Sequence, residues 1–374
     1  MAIPNNGLND YSGPKLNLGA SGPLLSAVYG IGNWTGYAHT GTVALSTTVT
    51  SNSAKFIAMS SQYLIADGTT VQGLFGVAYD PLASTSSSPK TVMDAWYQAG
   101  VLANNEIAFH ACPLSLMSEA YIDFGNSDPS FTCNPDGTPN VWAYSPSADY
   151  YTINIVKINV GSNAVTLPQY FQQYTNGVGS LSWSIVDSCT TNLILPQNVV
   201  QALVNAIASS GAIPSSWPTN LKTQFLNAEV TVSNPGFKWS LFPTITFYIQ
   251  YTSTSTQTFQ IVLSAYQYIQ ATADGDYQFL VSVGSDAMAI LGIPIFTGLD
   301  VVFDRANQRI GFALGCGCAT SSVKYPNIIG TSGSAWNNVP GTNSDMKTMN
   351  PITIFTLMVS LFGKMHLEIN IFQK

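Results

Sequence analysis

Charge is scarce in this chain. Of its 374 residues only 8% are Asp, Glu, Lys or Arg, against about a quarter in an ordinary soluble domain. The 12 Lys and Arg residues are scattered singly and the net charge is −7. That excludes the basic patch a nucleic-acid partner would require. The three histidines, His39, His110 and His366, stand far apart in sequence, with no HExxH pair, and Cys316-Gly317-Cys318 has neither a second cysteine pair nor a nearby histidine. No metal site is implied, and no cofactor. No phosphate loop is present, because Gly30-Ile31-Gly32 opens a hairpin and not a helix. Long apolar runs are missing too. The stretch Ile352 to Phe362 is apolar, but a membrane span needs about 17–25 residues. It follows a Gly/Ser/Asn-rich stretch and precedes the polar Lys364-Met365-His366-Leu367-Glu368. Residues 351–363 are therefore read as a possible membrane anchor or as an amphipathic tail. Met1 to Gly7 has no basic region and no apolar core, so it is not a secretory signal.

Ser, Thr, Asn, Gln, Tyr and Gly take the place of the charges, and 46% of the chain is hydrophobic. Short β-branched and aromatic runs, separated by Gly, Pro, Asn and Ser, give strand signals at Thr42 to Val49, Tyr151 to Val160, Thr244 to Tyr251 and Thr258 to Ser264. Tyr150 to Val160 alternates with period two, as a half-buried strand does. Helical patterns are few; Thr91 to Gly100 and Gln197 to Ser209 are the best, the second opening after Pro196 and ending near Gly211. The class is mainly antiparallel β, and the length suits two lobes. Cys112 and Cys133 bracket a short polar loop. They could close it as a disulfide worth about 3 kcal/mol, or stay as two thiols.

One acid stands apart. In Ser184-Ile185-Val186-Asp187-Ser188-Cys189-Thr190-Thr191-Asn192-Leu193-Ile194-Leu195-Pro196 an apolar strand runs into a carboxylate and hydroxyl residues, then resumes as an apolar run. That puts Asp187 at the mouth of a buried strand among N–H and hydroxyl donors. Gly73-Leu74-Phe75-Gly76-Val77-Ala78-Tyr79 and Ala289-Ile290-Leu291-Gly292-Ile293-Pro294 repeat one pattern, an apolar pair ending in glycine, and suggest an internal duplication. Tyr29-Gly30-Ile31-Gly32-Asn33-Trp34 reads as a glycine-rich hairpin tipped by an aromatic. Val301-Val302-Phe303-Asp304-Arg305-Ala306-Asn307-Gln308-Arg309-Ile310-Gly311-Phe312 reads as two strands and a polar turn, with Asp304 and Arg309 as turn or surface charges.

In this order, over roughly residues 26 to 315, these motifs resemble the pepsin-like aspartic proteases, and most closely the beta-secretase branch. The resemblance implies a bilobal acid-protease fold of two β lobes and an aspartic-type endopeptidase acting on peptide or protein substrates as a monomer. Such enzymes use two aspartates that share one proton. Asp187 matches the second of them, with Ser188 bracing the loop and Thr190 beside the substrate. Tyr29 and Gly30 match the mobile flap, and Trp34 its support. The implied compartment is the secretory pathway, extracellular or endolysosomal, with possible membrane anchoring by the tail.

Two departures from the pattern bear on activity. Cys189 occupies the place of a glycine, which predicts crowding beside the carboxylate. The first aspartate loop is also expected well upstream of Tyr29, and the only acid there, Asp10, lacks the strand and hydroxyl context. The expectation is therefore an incomplete N-terminal lobe with its flap over 1–145, a C-terminal lobe with the Asp187 loop over 146–318, and a polar linker with a short apolar tail over 319–374. A catalytically inactive homologue that binds peptides stays open as the alternative.

Overall fold

The computed structural model describes residues 1–8, 10–29, 32–44, 50–66, 72–83, 90–112, 120–125, 141–173, 183–252, 255–272, 274–315, 326–330 and 370–372. The chain is mainly β and divides into two compact units. Unit 1 holds Met1–Ile107, Phe124–Asn126 and Ile352–Lys374; unit 2 holds Ala108–Asp123 and Ser127–Pro351.

Unit 1 is built on a long hairpin. Strands β1 (Ala2–Pro4), β2 (Leu24–Val28), β3 (Asn33–Ala44) and β4 (Thr50–Tyr63) order as β1-β4-β3-β2. Along β3 buried and open positions alternate from Trp34 to Ala38, because successive side chains of a strand point to opposite faces. On β4, Ala54 to Met59 are all buried, so both faces of that strand are covered. The core gathers Ala2, Leu8, Tyr11, Trp34, Ala38, Ile57 and Met59. Helix α1 (Val92–Gln98) is pinned by fully buried Trp96, whose indole N–H donates to the Val43 carbonyl at 2.9 Å. Strand β1 is the unexpected element: the first residues pair parallel with β4, Ala2 beside Ile57, and Ala2 also bridges antiparallel to Leu74.

Unit 2 continues through β5 (Glu106–His110), β6 (Tyr121–Phe124), β7 (Val141–Tyr144), β8 (Thr152–Ile153), β9 (Ile155–Val160), β10 (Asn163–Val165), β11 (Ser184–Val186) and β12 (Leu193–Leu195). Helices α2 (Gln197–Ser210) and α3 (Thr219–Leu226) follow, then β13 (Ile245–Gln250), β14 (Thr258–Leu263), α4 (Ala265–Tyr268), β15 (Ile269–Ala271) and β16 (Tyr277–Phe279). The last elements are β17 (Val281–Val283), β18 (Ile290–Leu291), α5 (Ile293–Phe296), β19 (Leu299–Asp304), β20 (Arg309–Leu314) and β21 (Asn327–Ile329). Three five-stranded sheets result, ordered β10-β9-β13-β14-β21, β17-β12-β18-β11-β8 and β6-β5-β19-β20-β7. Helix α2 buries Val199, Val200, Leu203 and Ile207 on one stripe and stops at Gly211, which takes the left-handed conformation at φ +73°.

Of the two sequence readings of Asp304, turn charge or surface charge, the β19–β20 turn bears out the first. Asp304 is 4% exposed. It accepts from Asn307 N–H and Nδ2, and from Arg309 Nε at 2.7 Å, while the Arg309 guanidinium lies over the Trp142 ring. The ion pair is enclosed and hydrogen-bonded, which is how a protein keeps a charge out of water. Cys133, Cys316 and Cys318, and the tail from 331 to 369, lie outside the described residues, so the expected Cys112–Cys133 bridge and the tail anchor stay expectations. Cys112 itself is buried. Among the described residues no helix is long and apolar enough to cross a membrane.

Candidate active site

Asp187 is placed by a strand that threads a loop. Strand β11 delivers the acid and β12 carries the chain away, and between the two runs β18, parallel to β11 and antiparallel to β12. The Asp187 N–H donates to Leu291 O at 3.0 Å, and Ile293 N–H donates back to Thr190 O at 2.8 Å. Gly292 is required at the crossing. A Cβ there would come within 2.2 Å of Thr190 O and 2.4 Å of Asn192 O, contacts that backbone cannot relieve. The motif pair singled out in the sequence, Asp187 with Gly292, is thus brought together.

The carboxylate is held at both oxygens. Oδ1 accepts the Cys189 N–H at 2.9 Å, and Oδ2 accepts the Thr190 hydroxyl at 2.6 Å. Each oxygen keeps a free lone-pair direction for a water or a substrate group. Thr190 therefore orients the acid. Ser188 is half-buried next to it. Cys189 is exposed, its backbone lies outside the left-handed region, and its N–H supplies the bond expected of the glycine. Crowding around the thiol, and then the Asp187 charge, push its pKa up to about 12. The residue is open to solvent, so hydration offsets part of that rise, and the thiol stays protonated at acidic and neutral pH.

Two residues that the sequence did not single out fix the approach to this loop. Gln172, with φ +52°, accepts the N–H of Ile155 and of Ser184 on Oε1, and donates from Nε2 to Asn154 Oδ1 and Ile155 O. It locks the starts of β9 and β11 together. Ser184 Oγ accepts the Ala289 N–H at 3.1 Å, which ties β11 to the run into β18. Neither carries a local signal, since both act on strands distant in sequence.

In unit 1 the hairpin tip carries Tyr29, which is 48% exposed. Its N–H donates to Gly32 O, and Gly32 has φ +96° with Tyr63 O only 2.5 Å from any added Cβ. Trp34, 9% exposed and part of the core, donates its indole N–H to the Tyr29 hydroxyl at 3.0 Å. Gly30 lies outside the described residues. Asp10 is exposed and accepts from Gln62 at 2.8 Å, so it is occupied at the surface.

The register of β1 defines where unit 1 repeats unit 2. Leu193 pairs with Leu291 and Ile194 with Ile290, just as Ala2 pairs with Leu74. With Gly76 matched to Gly292, Met1-Ala2-Ile3-Pro4 falls on Leu193-Ile194-Leu195-Pro196. The parallel neighbours agree, β4 beside β1 and β17 beside β12. Around Gly76, however, nothing lies within 4 Å of an added Cβ.

The eukaryotic aspartyl protease family matches residues 18–315. The curated beta-secretase of Strongylocentrotus purpuratus is 27% identical over 285 residues, which is 70% of this chain and 50% of that protein. The chain therefore spans about half the length of the curated relative it matches.

Proposed function

Because the chain belongs to the eukaryotic aspartyl protease family, we propose that it works in an acid endopeptidase in which Asp187 is one of two catalytic carboxylates. The observation that carries this is the cradle of Asp187, with one donor on each oxygen and a glycine closing the crossing. One carboxylate takes a proton from a water as it attacks the peptide carbonyl, and the other, protonated, hydrogen-bonds the carbonyl oxygen. Collapse of the tetrahedral species passes a proton to the departing nitrogen. The partner carboxylate comes from the counterpart of the Asp187 loop. Tyr29, steadied by Trp34, covers the peptide, and Ser188 and Thr190 hold the loop. The substrate is a peptide or protein and the working compartment is acidic, in the secretory or endolysosomal pathway. The tail after residue 350 is a candidate anchor.

A second reading, a peptide binder without turnover, rests on Cys189 in the place of the loop glycine. The test is hydrolysis of internally quenched peptides between pH 3 and 7 by the protein purified from its cells. Acid-dependent cleavage, blocked by a statine-type inhibitor and reduced at least about a thousandfold in D187N, is the expected result. Peptide binding without turnover selects the second reading, and the lack of both sinks the two together.

A further inference from the structure

The hairpin of unit 1 carries an acceptor pattern that the endopeptidase reading does not use. Asn33-Trp34-Thr35 opens β3, and it is the one Asn-x-Ser/Thr triplet in the chain. Such a triplet, with x other than proline, is the acceptor for an N-linked oligosaccharide. The pattern alone is common, so its placement decides. Successive side chains of a strand face opposite ways. Asn33 and Thr35 therefore share one face of the sheet, and Trp34 takes the other. Trp34 is in the core, with its indole N–H on the Tyr29 hydroxyl. Asn33 is exposed and Thr35 is half-buried. Among the described residues neither side chain has a hydrogen-bond partner.

The neighbours of Asn33 supply a second, independent observation. It lies opposite Val28 of β2 and opposite Tyr63 of β4. Residues directly opposite in an antiparallel pair share a face, with Cβ atoms about 4.5–5.5 Å apart. Val28 is 82% exposed and Tyr63 62%. Two apolar side chains thus stand open to solvent on either side of a residue with poor strand propensity. Packing within the sheet would favour a β-branched or aromatic side chain at the centre of such a row. The next row on this face is Ser26, Thr35 and Ser61, all small, and it leaves the approach to the Asn33 amide open. A tyrosine ring offers a flat apolar surface, on which the C–H side of a sugar ring packs.

We propose that Asn33 is the acceptor for an N-linked oligosaccharide whose first sugar lies across Val28 and Tyr63. The donor is an oligosaccharide carried on a lipid pyrophosphate. The bond from Asn33 Nδ2 to the sugar C1 forms as the bond from C1 to the pyrophosphate oxygen breaks. The lipid pyrophosphate leaves with the electron pair, and Nδ2 gives up one proton. The inference rests on the secretory compartment proposed above, where such donors are met. The sugar covers two open apolar side chains and braces β2 and β4 across β3. The Trp34 indole and the hydroxyl it holds lie on the other face, so that pair is left untouched.

The experiment translates the whole chain, behind an appended secretion leader, in the presence of microsomes. One upward step in mass is expected, removed by the amidase that cleaves N-linked glycans. N33Q and T35A should abolish the step, and T35S should keep it in part. No step, or a step that survives in N33Q, overturns the proposal. The packing is read by a double-mutant cycle on the secreted protein. Y63S should lower the melting temperature about 2–4 °C more in the glycosylated chain than in N33Q. Equal losses in the two backgrounds would overturn the packing on Tyr63. The same chain purified from its own cells separates this inference from the function proposed above. A step in microsomes with none in the cellular protein removes the secretory compartment and leaves the acceptor standing. An occupied Asn33 in a protein that cleaves no peptide removes the endopeptidase and supports the acceptor.

Discussion

Gly292 and Gly76 close equivalent crossings, and their surroundings are opposite. At Gly292 the carbonyls of Thr190 and Asn192 press against the position a Cβ would take; at Gly76 that space is open. The same strand frame, β12 with β17 and β18 in one unit and β1 with β4 and Leu74 in the other, carries an acid loop among the described residues of unit 2. The difference separates two properties that usually travel together. Among the described residues β1 finds both neighbours, and the tight contacts at Gly292 come from loop carbonyls and not from the strand frame.

The sharpest way to break this comparison is a pair of alanines. G292A should cost about 3 kcal/mol or more, because the new Cβ meets backbone on two sides. G76A should stay within about 1 kcal/mol of the parent. Denaturant melts of the two variants decide it, and an equal loss in both would remove the distinction.

The pH dependence of stability is expected to split along the same line. In unit 2, His110 is 1% exposed, stacked on Tyr121 at 4.6 Å, with Nε2 3.7 Å from Cys112 Sγ; burial depresses its pKa to about 4. A base whose folded pKa lies below its unfolded value binds its proton more readily when unfolded. Stability therefore falls as the pH drops from about 6.5 to about 4, by up to roughly 3 kcal/mol. H110F should flatten that window. In unit 1 burial lowers the Lys55 pKa, so the matching slope lies in the alkaline range below the ordinary lysine value, and K55M should erase it. Melts at half-unit pH steps would expose a single shared window if the comparison is wrong.

Two smaller effects sharpen it. T190A removes the 2.6 Å bond to Asp187 and should lower kcat/KM by about tenfold to 150-fold, in line with the 1.5–3 kcal/mol of a bond to a charged group; T190S should recover most of it. On the other unit, W34F removes the 3.0 Å bond to Tyr29 and should cost about 1 kcal/mol. Hydrogen exchange at the Tyr29 amide, which bonds Gly32 O, should then quicken about fivefold.

Periodicity and punctuation made much of this legible. Thr258 to Ser264 forms β14, Gln197 to Ser209 forms α2 ended by Gly211, and the Asp187 and Gly292 motifs meet as the sequence pattern implied. The illegible parts are those decided by distant neighbours. A three-residue segment such as Ala2-Ile3-Pro4 has no local reason to be a strand; β4 makes it one. Asp304 reads as a turn or surface charge because nothing beside it in sequence reveals that the fold closes over it. Gln172 looks like any loop residue until Ile155 and Ser184 converge on its amide.

The threading of β18 also sets a timetable. The N–H of Asp187 is satisfied by Leu291, about a hundred residues further along the chain, and contacts of such separation form late. On a ribosome the acid would emerge long before the strand that completes its cradle. Until Ile290 and Leu291 insert between β11 and β12, the loop has neither its floor nor its closing glycine, and the carboxylate has no fixed direction. A nascent or partly folded chain is thus silent at this position, and competence arrives in one step with the closure of the sheet.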